Sequence, residues 1–85
     1  MYRYRIYTEN KDIPYIKYRV SQDFTGFTLF YGTEYYEEAE EQSVTIEIVD
    51  NAELAKVKEL AEDIKAHNCQ QAVLVTQEII KHVVC

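Results

Sequence analysis

The chain has 85 residues, a length that predicts one small domain over residues 1–85. Its formal net charge of −6 disfavours nucleic-acid binding, since phosphate neutralisation needs clustered Lys and Arg. No apolar run approaches the roughly 20 residues that span a bilayer, and residues 1–5 lack the apolar segment of a signal peptide. We therefore expect a cytoplasmic protein without a membrane partner. Its two cysteines make no disulfide framework, so both are expected to be free thiols.

The first third of the chain predicts a strand followed by a helix. Residues 2–8 alternate in hydropathy with the period of a strand. Asn10 or Asp12 can cap a helix, a proline suits its first turn, and apolar residues then recur at intervals of three and four until Gly26, which should end it. A strand over residues 13–22 is the competing interpretation, because β-branched and aromatic residues also alternate there with polar ones.

The middle of the chain predicts a hairpin and a second helix. Strands over residues 27–36 and 43–49 are joined by an acidic tip, which should repel itself and remain solvated. Asp50 and Glu53 have the spacing of a capping box for a helix over residues 52–66. Apolar residues at helical intervals give this helix one face that can pack on a core.

A last strand is expected over residues 72–77, and the element order then predicts a fold. The order strand, helix, strand, strand, helix, strand predicts an α+β ferredoxin-like βαββαβ sandwich, with a four-stranded antiparallel sheet and two helices on one face. The other sheet face would carry these side chains: Arg3, Arg5, Tyr7, Thr28, Phe30, Thr45, Glu47 and Val49. The last strand is apolar on both sides, and such strands are usually covered on both sides, so we expect a second subunit there.

Five short motifs carry a resemblance to a known group of proteins. They are Tyr-Thr-Glu-Asn-Lys, Gly-Phe-Thr, a Gly-x-x-Tyr hairpin, Ile-Glu-Ile and Gln-x-Ala-Val-Leu-Val, at residues 7–11, 26–28, 32–35, 46–48 and 70–75. With them the chain resembles short uncharacterised bacterial and phage proteins. In outline these are similar to PII-like trimers, a set that includes CutA and the phage S-adenosylmethionine lyases. The resemblance implies a ferredoxin-like fold, a homo-oligomer and ligand binding in clefts between subunits.

The candidate ligand site comes from the basic first quarter of the chain. Residues 1–22 hold five basic and two acidic residues, whereas no basic residue lies between Arg19 and Lys56. Cationic side chains can clamp the phosphate or carboxylate of a small nucleotide-like anion. The candidate residues are Arg3, Arg5, Tyr7, Lys17 and Arg19. The alternative is that the arginines pair with Glu47 on a neighbouring strand.

The candidate subunit interface rests on the aromatic content of the chain. Eight tyrosines and three phenylalanines occur, and tyrosine is frequent on surfaces that must be apolar yet soluble. The expected interface residues are Tyr7, Phe30, Tyr35, Val49, Val73 and Val75. The acidic hairpin of residues 34–41 has two interpretations, a solvated charged face or a surface that meets a basic protein partner.

No cofactor, metal or catalytic residue is expected. His67, Cys69, His82 and Cys85 are zinc-type ligands, but an extended chain would hold the two pairs at opposite ends of the sheet. No serine lies in an elbow motif. We therefore expect a non-catalytic oligomeric binding protein of phage or mobile-element type, dimer or trimer, that holds a small anionic ligand to counter host defence. The alternatives are an acidic protein–protein inhibitor and, third, a lyase or hydrolase at a subunit boundary.

Overall fold

The structure, a computed structural model that describes residues 1–85, contains four strands and two helices. In chain order they are β1 (Tyr2–Glu9), α1 (Ile13–Asp23), β2 (Thr28–Tyr36), β3 (Ala39–Asp50), α2 (Leu54–His67) and β4 (Leu74–Ile79). The sheet is antiparallel with the order β2-β3-β1-β4, and both helices contribute to one core on one of its faces. This is the predicted ferredoxin-like βαββαβ arrangement. Neither helix has the length and apolar character needed to cross a membrane.

The first helix forms as predicted, and the competing strand does not. Asp12 caps α1, since its side chain accepts a hydrogen bond from the Tyr15 N–H at 3.3 Å. The helix buries Ile16 and Val20, which lie one turn apart, and this helical spacing rather than the alternation decides the structure. The expected glycine stop is wrong, because α1 ends at Asp23 and the backbone of Gly26 has no positive φ.

The second helix begins later than predicted and without a capping box. It starts at Leu54, and the side chain of Glu53 makes no capping hydrogen bond. Asp50 instead accepts a hydrogen bond from the Ala52 N–H at 2.7 Å, which is the contact of an Asx turn. The carboxylate that was expected to cap α2 therefore stabilises the turn that leads into it.

The hairpin is longer than predicted because β3 begins at Ala39 and not at residue 43. Its turn consists of Glu37 and Glu38 alone, with φ of 50° and 66°. Two successive positive φ values in a two-residue loop define a type I′ turn, whose twist matches that of paired strands. Every residue from 31 to 42 is exposed, and we call this segment the arm.

The core lies between the helices and one face of the sheet. It consists of 12 buried residues: Tyr4, Ile6, Ile16, Val20, Phe24, Val44, Ile46, Ile48, Val57, Leu60, Ala61 and Ile64. The Tyr4 hydroxyl donates a hydrogen bond to the Ala52 carbonyl at 2.5 Å and accepts one from Gln77 Nε2 at 2.9 Å. A core this small gives a narrow margin of stability, so coverage of further apolar surface would matter.

Candidate binding surface

The face of the sheet opposite the helices is not covered by any element of the chain. We call it the open face, and the strand registers assign to it Arg3, Arg5, Tyr7, Thr28, Phe30, Thr45, Glu47, Val49, Leu74, Thr76 and Glu78. One row of neighbours crosses all four strands, from Phe30 through Thr45 and Tyr7 to Leu74. Phe30, Tyr7 and Leu74 are 50%, 37% and 61% exposed. The row is therefore an apolar band on the surface.

The two arginines of the open face are paired with carboxylates. Arg3 Nη1 donates to Glu78 Oε1 at 2.8 Å, and Arg3 Nε lies 2.9 Å from Glu47 Oε1. Arg5 Nη2 lies 3.5 Å from the same Glu47 oxygen, a looser contact. The hydrogen bond to Glu78 raises the pKa of Arg3. The alternative interpretation of the sequence, in which these arginines pair with Glu47, is therefore confirmed by the geometry.

The remaining basic candidates lie on the other side of the sheet. Lys17 and Arg19 belong to α1, which packs on the helix-covered face. Arg19 donates to Asp23 Oδ2 and to Asp63 Oδ2, each at 2.8 Å. Burial lowers the pKa of Arg19, but the hydrogen bonds and negative charges of Asp23 and Asp63 together raise it by more. Within one chain, the structure therefore does not bring the five candidate ligand residues into one site.

The candidate interface residues also divide between the two faces. Tyr7, Phe30 and Val49 lie on the open face, and all three are exposed. Val73 and Val75 are part-buried against the core, because Val75 pairs with the buried Ile6. These two valines therefore lie on the helix-covered side, where they cannot extend the apolar band.

Tyr35, which was expected at the interface, and Leu74, which was not, are both exposed. Tyr35 lies on the arm, 73% exposed, with its hydroxyl donating to Glu40 Oε1 at 2.9 Å. Leu74 was missed as an interface residue, although it closes the apolar band beside Tyr7. The alternation of residues 72–75 indicated two apolar sides, but only the pairing of β4 with β1 shows which side Leu74 occupies.

An open cavity of about 650 Å³ lies where the open face meets the arm and the loop between α2 and β4. Its aromatic and aliphatic walls include Tyr7, Tyr36 and Leu74. Three carboxylates also line it: Glu9, Glu34 and Glu41. Lys11 Nζ lies 2.8 Å from Glu9 Oε2 and balances one of these charges. The cavity therefore combines apolar walls with acidic side chains.

The zinc-type side chains do not form a metal centre. His67 Nε2 lies 2.7 Å from Asp12 Oδ2, and the ring of Tyr15 stacks on the imidazole. Cys69 and Cys85 are both exposed free thiols. No three His, Cys, Asp or Glu side chains are placed to hold one ion.

Comparisons with known proteins show similarity of fold. The chain matches no protein-family model and no curated protein. A DUF3240 family protein from Shewanella baltica OS155 superposes with a TM-score of 0.71 at 13% identity, over 99% of this chain and 93% of that one. A phage SAM lyase in its apo state gives a TM-score of 0.62 at 20% identity, over 91% and 78% of the chains. The de novo designed protein Foldit4 gives 0.53 at 17%, over 94% and 96%. At these identities the similarity concerns the fold alone.

Proposed function

We propose that this protein is a non-catalytic homo-oligomer that binds a small ligand between its subunits. The observation that carries the proposal is the apolar band of Phe30, Tyr7 and Leu74 across the open face. Contiguous exposed apolar surface usually marks an interaction site. A second copy that covered the band would add buried area to a core of only 12 residues. A dimer and a trimer both satisfy this requirement.

Arg5 and Tyr7 are the residues of the open face best suited to a ligand. The only ion pair of Arg5 is the 3.5 Å contact with Glu47, and its side chain is 40% exposed, so guanidinium donors remain free. Tyr7 follows two positions later on the same face of β1 and lines the open cavity. A nucleoside-like ligand can place its base against Tyr7 and its anionic group at Arg5.

The charges around the cavity restrict the ligand further. The carboxylates that line it would repel a polyphosphate, because the interaction between like charges is strong at short range. The ligand that fits best is therefore a nucleoside-like molecule with no more than one phosphate group. The fold similarity to a phage SAM lyase supports this class, since SAM contains adenosine. It also supports a phage or mobile-element origin. A protein of that origin would counter host defence by binding a nucleotide signal.

Sedimentation of the native protein at high micromolar concentration tests the oligomer. We expect a dimer or a trimer, because association would remove the exposed side chains of Phe30, Tyr7 and Leu74 from water. A well-folded monomer at this concentration would contradict the proposal.

Thermal melts with adenosine, AMP and ATP test the ligand class. A ligand that binds only the folded protein raises the melting temperature with its concentration. We expect AMP to raise it more than ATP, and Arg5→Ala to abolish the shift. Lys17→Ala is the matched control, because it removes one positive charge from the opposite side of the sheet and should keep the shift. If no nucleoside or nucleotide moves the midpoint, the ligand assignment fails while the oligomer remains testable.

A further inference from the structure

The arm is a two-stranded ribbon with no core of its own. All of its residues are exposed, on both faces of the ribbon. An isolated two-stranded hairpin is only marginally stable in water, because neither face is packed. Its tyrosines Tyr31, Tyr35 and Tyr36 are 58%, 73% and 69% exposed. Tyrosine is a frequent anchor of protein interfaces, so the arm offers surface that a partner can cover.

The outer strand of the arm is also an unprotected sheet edge. β2 lies at the end of the sheet and has β3 as its only neighbour. Proteins usually protect such an edge with Lys, Pro, a bulge or a very short strand. β2 has nine residues with neither Lys nor Pro, and it pairs with β3 at consecutive positions from Thr28 to Tyr36. Its outward backbone groups are therefore available to another strand.

The turn geometry indicates which backbone groups are free. In a two-residue hairpin the residues that flank the turn form a hydrogen-bonded pair, and such pairs alternate along the ladder. Tyr36 and Ala39 flank this turn. The N–H groups of Thr33 and Tyr35 therefore point away from β3, toward the free edge.

The negative charge of the arm determines which kind of strand can pair with its free edge. Its carboxylates are Glu34, Glu37, Glu38, Glu40 and Glu41, and it has no basic residue. Glu34 lies directly opposite Glu41, and none of the five forms an ion pair within the chain. Pairing with the arm of a second copy would bring five more carboxylates close, whereas Lys or Arg side chains would be complementary. We propose that the free edge of β2 binds an extended segment of another protein that is rich in Lys and Arg, as a fifth strand of the sheet.

The test uses a blocked nine-residue peptide of alternating Lys and Val, titrated into the intact protein. We expect binding that weakens as salt rises, with chemical-shift changes at the amides of Thr33 and Tyr35. A peptide with Glu in place of Lys should not bind. The same Lys-Val peptide with N-methyl groups on all of its backbone amides should bind at least tenfold more weakly, because neither of its edges can donate hydrogen bonds to β2. Equal affinity of the methylated peptide would overturn the proposal.

Matched protein variants separate the arm from general electrostatic attraction. Glu34→Gln with Glu41→Gln should weaken peptide binding severalfold, whereas Glu59→Gln with Glu62→Gln removes the same charge from exposed positions of α2 and should not. Equal loss in both variants would overturn the proposal. Hydrogen exchange without peptide is a further check. If the Thr33 and Tyr35 amides become more protected as the protein concentration rises, a second copy occupies the edge, and the proposal is overturned.

Discussion

The imidazole Nε2 of His67 lies 2.7 Å from Oδ2 of Asp12, which joins the end of α2 to the start of α1. The ring of Tyr15 stacks on the imidazole with a centroid distance of 3.5 Å and an interplanar angle of 9°. Nearby, Asn68 Nδ2 donates to the Lys11 carbonyl at 3.1 Å. The hydrogen bond from His67, with one from the Tyr15 N–H, lowers the pKa of Asp12. The loop before α1 is therefore held against the end of α2.

Asp12→Asn should reveal a pH-dependent contribution to stability. A carboxyl whose folded pKa is lowered stabilises the protein above its unfolded pKa, and the contribution is lost as the pH falls through the folded pKa. Asn and Asp are about equally good helix caps, and Asn tolerates the φ of 47° at position 12. This change therefore removes mainly the charge. We expect the wild type to have the higher free energy of unfolding above about pH 4, with a difference that shrinks at lower pH. Urea unfolding above and below this pH measures the difference between the two proteins. A difference that grows on acidification would contradict the prediction.

Cys69→Gly should stabilise the protein. Cys69 has a φ of 54°, and the Gln70 N–H donates to the Lys65 carbonyl at 3.0 Å, the hydrogen bond of a Schellman cap. This left-handed backbone costs a non-glycine residue about 1–2 kcal/mol, and the added freedom of glycine in the unfolded chain offsets part of the gain. We expect an increase of about 0.5–1 kcal/mol in urea unfolding. Cys69→Ala also removes the thiol but should give no such gain; equal effects of the two would contradict the backbone explanation.

Leu74→Asp and Val75→Asp should affect different properties, association and folding respectively, although the residues are adjacent. Leu74 is 61% exposed on the open face, so a charge there should split the oligomer and leave the monomer folded. Val75 packs against the core, where an unpaired carboxylate should destabilise the fold by several kcal/mol, on the order of 2–5. Sedimentation reports association, and circular dichroism reports folding. If Leu74→Asp left the association state unchanged, the open face would not be the interface.

Replacing Glu37 and Glu38 by Asn and Gly should stabilise the hairpin. Both residues have positive φ, and Asn-Gly is the preferred pair for a type I′ turn. We expect a gain of about 1 kcal/mol in the free energy of unfolding. Glu40→Gln with Glu41→Gln is the control, because it removes the same charge from β3 without changing the turn. If the control gains as much, charge repulsion rather than backbone strain explains the result.

The sequence predicted the element order, the ferredoxin-like fold and the cap of α1, because each depends on local patterns. The predicted strands of the hairpin were too short because a run of glutamates resembles a solvated loop, whereas β3 begins at Ala39. The capping box of α2 failed because Asp50 can bond either the helix start or the nearer Ala52 N–H, and spacing alone does not distinguish these.

For the candidate site, the alternation of residues along β1 was enough to place its two arginines on one face, since successive side chains of a strand point to opposite faces. The neighbours of these arginines depend on how β1 pairs with the other strands. Glu47 and Glu78 come from strands on either side of β1, and their registers set the distances of the ion pairs. The same registers placed Leu74 on the open face and Val75 on the core. A shift of one residue in register moves every side chain of a strand to the opposite face, so contacts across strands could not be read from one strand's pattern.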